Sequence, residues 1–109
     1  MAELGYIVFV ESAHGKEPHG HNFKIEIVLE SSYNSKSGWI AGIDVNEFMS
    51  EIENTRKNLD HKNLNNLFSP ASMENIARYF IEKLKDKFPI KFVKVYETEN
   101  RYAIIYSND

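Results

Sequence analysis

Three of the chain's four histidines, His14, His19 and His21, fall within eight positions, separated by glycine and proline. An alternating apolar pattern flanks them on both sides. Residues two apart on a strand share a face, so His19 and His21 can present their imidazoles side by side. His14, at the end of the preceding strand, can swing in across the turn. Three neutral imidazoles converging on one point suit zinc and leave a fourth position open, the mark of a catalytic rather than a structural metal site. Asp60-His61 places an acid and an imidazole side by side, which as a dipeptide in a loop reads by itself as polar surface.

The elements that must position these residues are legible from periodicity. Tyr6 to Ala13 alternates as a strand, with Ile7, Phe9 and Ala13 on one face and Val8, Val10, Ser12 and His14 on the other. Both faces are largely apolar, which predicts a sheet covered on both sides. Gly15 to Gly20 is the turn. From His21 to Ser31, Phe23, Ile25, Ile27 and Leu29 alternate with Lys24, Glu26 and Glu30, completing an antiparallel hairpin with the histidines at one end. A polar loop from Ser31 to Gly38 leads to a short extended piece around Trp39–Ile43. Asp44 reads as a helix N-cap, with Glu47 completing a capping box. Val45, Phe48, Met49 and Ile52 carry that helix to about Asn58.

Leu59 to Asn65 is an irregular connection. Ser72 caps a second helix, whose apolar face runs Met73, Ile76, Ala77, Phe80, Leu84 and Phe88 until Pro89 stops it. Lys91–Glu97 and Arg101–Ser107 form a final strand pair across Thr98-Glu99-Asn100. The order hairpin, two helices, hairpin is an α+β domain: a four-stranded antiparallel sheet with two helices on one face.

The 109 residues make one domain, spanning 1–109, with 42% hydrophobic and 13% aromatic residues, a globular composition. A net charge of −3 leaves no electrostatic footprint for nucleic acid. No apolar run approaches the roughly 20 residues that span a bilayer, and no signal peptide is visible, so a cytoplasmic location is the expectation. With no cysteine there is no thiolate nucleophile and no disulfide framework. Tyr6, Val8 and Val10 share a strand with His14 and cannot all be satisfied inside so small a monomer. Open sheet edges and apolar faces find partners, which predicts a homo-oligomer.

Taken in order, Ser12-Ala13-His14, His19-Gly20-His21-Asn22-Phe23, Ile43-Asp44, Leu59-Asp60-His61-Lys62-Asn63-Leu64-Asn65, Glu74-Asn75-Ile76-Ala77 and Val95-Tyr96-Glu97-Thr98 resemble the 6-pyruvoyl-tetrahydropterin synthase family. That family includes the 6-carboxy-tetrahydropterin synthases of queuosine biosynthesis. The resemblance implies the tunnelling fold, ββααββ subunits joined edge to edge, and a homohexamer built as a dimer of trimers. It implies zinc on His14, His19 and His21, and a pterin substrate anchored by Glu97. A pterin edge offers a ring N–H and an exocyclic amine, which a carboxylate accepts in bidentate fashion. It further implies catalytic roles for Asp60 and His61, and it places Ser72 where family members often have a threonine near the pterin.

The chain departs from the family at one decisive point. Synthases carry a catalytic cysteine about four residues before His-Gly-His; that position here is Gly15. One subgroup replaces the cysteine with a glutamate just upstream of His-Gly-His and cleaves the dihydroneopterin triphosphate side chain to 6-hydroxymethyl-dihydropterin, a folate-type precursor. Glu17, two residues before His19, is the candidate catalytic glutamate. The expected function is a zinc-dependent pterin side-chain lyase. The alternatives are a pyruvoyl- or carboxy-forming synthase and a non-catalytic zinc and pterin-binding protein. Lys16, Lys24, Lys62 and Arg101 are candidate phosphate contacts.

Overall fold

A computed structural model describes residues 1–14 and 19–108, with the side chains of residues 13–21 outside the description. Along the chain run β1 (Ala2–His14), β2 (His19–Ser31), β3 (Tyr33–Asn34), β4 (Trp39–Ile40), α1 (Val45–Lys57), a 3-10 turn (Leu64–Asn66), α2 (Met73–Leu84), β5 (Ile90–Thr98) and β6 (Arg101–Tyr106). The main sheet has the antiparallel order β1-β2-β5-β6, and β3 and β4 form a small separate hairpin. The expected α+β architecture is therefore present.

β1 and β2 pair in one unbroken register, from Ala2 opposite Ser31 to His14 opposite His19. This register puts Val8, Val10 and Ser12 of β1 with Phe23, Ile25, Ile27 and Leu29 of β2 in the buried interior. A one-residue slip would turn that whole set to the other face, so burial fixes the pairing. β1 begins four residues earlier than its alternation suggests, because partners on β2 continue to Ser31.

Both helices follow their caps. Asp44 accepts a hydrogen bond from the Glu47 amide at 3.1 Å and starts α1, which buries Phe48, Ile52 and Thr55. Ser72 accepts from the Asn75 amide at 3.2 Å and starts α2, which buries Met73, Ile76, Ala77, Phe80, Ile81 and Leu84. Such a cap contributes about 1 kcal/mol. α2 ends at Leu84, five residues short of Pro89. The Phe88 amide still donates to the Leu84 carbonyl at 3.0 Å, so Phe88 is buried as part of a turn and stacks edge-on against Phe48, with centroids 5.2 Å apart.

Two expectations about the sheet need correcting. Val8 and Val10 are satisfied within the single chain, at 3% and 1% exposure, beneath α1 and the 3-10 turn that pack on β1. Within the chain the helices cover one face only; the other presents Ile7, Phe9, Tyr102 and Tyr106 to solvent. Among the described residues no helix is long and apolar enough to cross a membrane.

Candidate functional site

The continuous β1–β2 register brings the three histidine positions onto one two-stranded ribbon. His14 lies directly opposite His19, and His21 opposite Ser12. Opposed residues on antiparallel strands have Cβ atoms about 5 Å apart. Three nitrogen donors on such neighbouring positions fit a tetrahedral zinc site with one open corner. The three imidazoles, like Glu17 and Lys16, lie outside the described side chains. Among the described residues no group of three His, Asp or Glu side chains gathers as a metal site.

The segment after α1 is docked onto this ribbon. The Ser12 hydroxyl, buried at 4% exposure, donates to the Leu59 carbonyl, and Leu59 itself is fully buried. The Glu11 amide donates to Asp60 Oδ1 at 2.9 Å, and the His61 amide donates to the Glu11 carbonyl at 2.6 Å. One residue of β1 thus grips both members of the acid–imidazole pair. Its neighbour Ser12 faces His21 across the ladder. The structure therefore brings Asp60 and His61 to the histidine-bearing end of the sheet.

His61 adopts a left-handed backbone, φ 57°, a region that costs a non-glycine residue roughly 1–2 kcal/mol. Its side chain is 73% exposed, with Nε2 3.6 Å from Asp60 Oδ2. That is an ion-pair distance rather than a hydrogen bond. Asp60 Oδ2 also accepts from Arg56 at 3.1 Å. The hydrogen bond from the Glu11 amide, helped by the charges of His61 and Arg56, holds the Asp60 carboxyl below the usual carboxylate range, against partial desolvation. Asp60 thus stays ionised at neutral pH.

Glu97 sits near the end of β5, where the pairing with β6 slips between Tyr96 and Thr98. Its carboxylate is 14% exposed and lies 3.8 Å from Arg101. It borders a cavity of about 630 Å³, shared with Phe9, Asn22, Lys24, Tyr96, Thr98 and Glu99. Lys24 holds its ammonium 4.9 Å from the Tyr96 ring centre. Ser72 is engaged as the α2 cap. Sequence reasoning missed Glu11 and Arg56. The four-residue spacing from Arg56 to Asp60 was a readable signal, but Asp60 falls beyond the end of α1, where that spacing no longer guarantees contact.

An antiparallel ββααββ unit with paired histidines at one end defines a fold class, and the comparisons agree on it. A family model described as 6-pyruvoyl tetrahydropterin synthase matches residues 6–108. The chain belongs to that family. It is 30% identical over 94 residues to the dihydroneopterin monophosphate aldolase of Pyrococcus furiosus, covering 81% of this chain and 79% of the relative. The 6-pyruvoyl tetrahydropterin synthase of Caenorhabditis elegans superposes with a TM-score of 0.82 at 22% identity, over 96% of this chain and 94% of that one. The Plasmodium vivax 6-pyruvoyltetrahydropterin synthase, solved as an alanine variant of a catalytic glutamate, superposes with a TM-score of 0.69 at 17% identity. That match covers 95% of this chain and 96% of the other.

Proposed function

We propose that this chain is a zinc-dependent lyase that cleaves the bond between the first and second side-chain carbons of dihydroneopterin or a phosphate ester of it. The products are 6-hydroxymethyl-dihydropterin and glycolaldehyde or its phosphate. The observation that carries the choice of reaction is the absence of cysteine from the whole chain, which removes the thiolate base of the synthases. The aldolase name of the Pyrococcus relative supports carbon–carbon cleavage, and the catalytic glutamate of the Plasmodium protein supports a carboxylate as the base.

Zinc held by His14, His19 and His21 would supply Lewis acidity toward the side-chain hydroxyls. The chain's own residues do the rest. Glu97 accepts the ring N–H and exocyclic amine of the pterin and fixes its orientation. Glu17 takes the proton of the second-carbon hydroxyl. As the carbon–carbon bond breaks, that carbon becomes an aldehyde and the electron pair passes into the pterin imine. His61 returns a proton to the first carbon, leaving a hydroxymethyl group. Asp60, ionised, keeps His61 beside the reacting carbons.

A second reading, a pyruvoyl- or carboxy-forming synthase relying on Asp60 and His61, is favoured by the family description. The test is product analysis by mass spectrometry. Zinc-loaded protein is incubated with dihydroneopterin, its monophosphate and its triphosphate, with Glu17→Ala in parallel. The expected result is 6-hydroxymethyl-dihydropterin that falls at least about 100-fold in the variant. A pyruvoyl or carboxy product would establish the second reading instead.

A further inference from the structure

We propose that Arg56 is a positioning residue of this site: from the last turn of α1 it clamps Asp60, and through Asp60 it holds His61 in its left-handed conformation beside β1. The inference rests on the reading that His61 moves a proton. Arg56 engages Asp60 twice. Its backbone carbonyl accepts from the Leu59 amide at 3.0 Å and the Asp60 amide at 3.1 Å, closing the turn after the helix. Its guanidinium reaches Asp60 Oδ2 at 3.1 Å and Glu53 Oε2 at 3.4 Å. Arg56 and Asp60 side chains are 22% and 24% exposed, so the contact is sheltered on both sides.

The clamp matters because of what Asp60 does with its other oxygen. Oδ1 takes the Glu11 amide at 2.9 Å, so the carboxylate bridges the end of α1 to β1. Among the described residues, the charged groups facing Asp60 are Arg56 from α1, backed by Glu53, and His61 from its own loop; β1 contributes the Glu11 amide. A left-handed histidine persists only where its surroundings over-determine it. Here the determinants are the His61 amide on the Glu11 carbonyl and the doubly anchored carboxylate one residue earlier. Arg56 meets Asp60 and Glu53 from two separate nitrogens of a rigid planar fork, whereas a lysine would have to meet both from a single nitrogen on a flexible stem, so it replaces the clamp only in part.

The experiment compares Arg56→Gln, Arg56→Lys and a neighbouring control, Lys57→Gln. It measures steady-state kinetics on the zinc-loaded enzyme with the pterin that the wild type turns over, together with amide hydrogen exchange across the chain. For Arg56→Gln, kcat falls roughly 10- to 100-fold, the range seen when a group that orients an active residue is removed. KM stays within about twofold. Arg56→Lys recovers part of the loss and Lys57→Gln loses nothing. Exchange speeds up in residues 58–63 and stays unchanged in β2 and β5. Unchanged kcat, or a fall in kcat accompanied by faster exchange throughout the sheet, overturns the proposal. Should the wild type turn over no dihydroneopterin substrate, the proposed function fails while the clamp is still decided: undisturbed protection at 58–63 in Arg56→Gln rules it out.

Discussion

The two ends of the sheet each carry a charged side chain held by more than one partner, and they differ in what those partners are. At the end away from the histidines, Lys91 of β5 reaches Glu3 of β1 at 2.6 Å and Glu30 of β2 at 3.2 Å. Glu3 and Glu30 are themselves opposed across the ladder. All three side chains are a third or more exposed, so either contact can be exchanged for water without moving the main chain. At the histidine end, Asp60 is tied to a backbone amide of β1 and to a guanidinium at the end of α1. Loss of either tie shifts a loop. The same kind of ion pairing decorates one end and sets backbone position at the other.

The severest way to break this comparison is at the histidines. Dialysis against a chelator, or His19→Ala, should lower turnover of the pterin substrate more than about 100-fold, with activity returning to the wild type alone when zinc is restored. Assays before and after zinc addition check this. Next, His61→Asn should lower kcat about 100-fold. Asparagine tolerates a left-handed backbone, so circular dichroism should remain that of the wild type. A variant with full activity would show the exposed imidazole to be incidental.

A subtler contrast is in pH. The folded Asp60 carboxyl is held low, so its stabilisation is present above the unfolded value of about 3.9 and is lost as pH falls through the folded value. Wild type should melt above Asp60→Asn at pH 6, and the two should converge in acid. Hydrogen bonds with Glu3, and next with Glu30, hold the Lys91 amine above its usual range. Its contribution is therefore present below about 10.4 and lost as pH rises through the folded value. Lys91→Met should converge with wild type on the alkaline side. The smallest effect is expected for Glu3→Gln at neutral pH, a change in melting temperature below about 3 °C with kcat unaltered. A larger drop would make the two ends alike.

Much of this architecture could be read from residue order. Asp44 and Ser72 act as the caps their types suggest, and the alternation from Phe23 to Leu29 is the buried row of β2. The limits came from contacts distant in sequence. Val8 and Val10 looked like excess apolar surface because nothing local shows that the segment around Leu64 folds back over β1. Phe88 continues the helical spacing beyond the end of α2, although it is buried from a turn. In the site, Asp60 and His61 stood out by type, while their anchor, Glu11, is 49 residues from Asp60 and works through its main chain, which no side-chain motif records.

The ladder between β2 and β5 begins at Lys24, whereas β2 continues to pair with β1 from Phe23 back to His19. A two-stranded ribbon is marginal on its own. The portion bearing the histidines is therefore seated not by a third strand but by the Leu59–His61 segment, whose Leu59 belongs to the same core as Val10 and Phe23. This division separates the inheritance of shape from the inheritance of chemistry. The four strands and two helices can stay as they are while the ribbon exchanges one reagent for another, so relatives that share this scaffold are free to diverge in the bond they break.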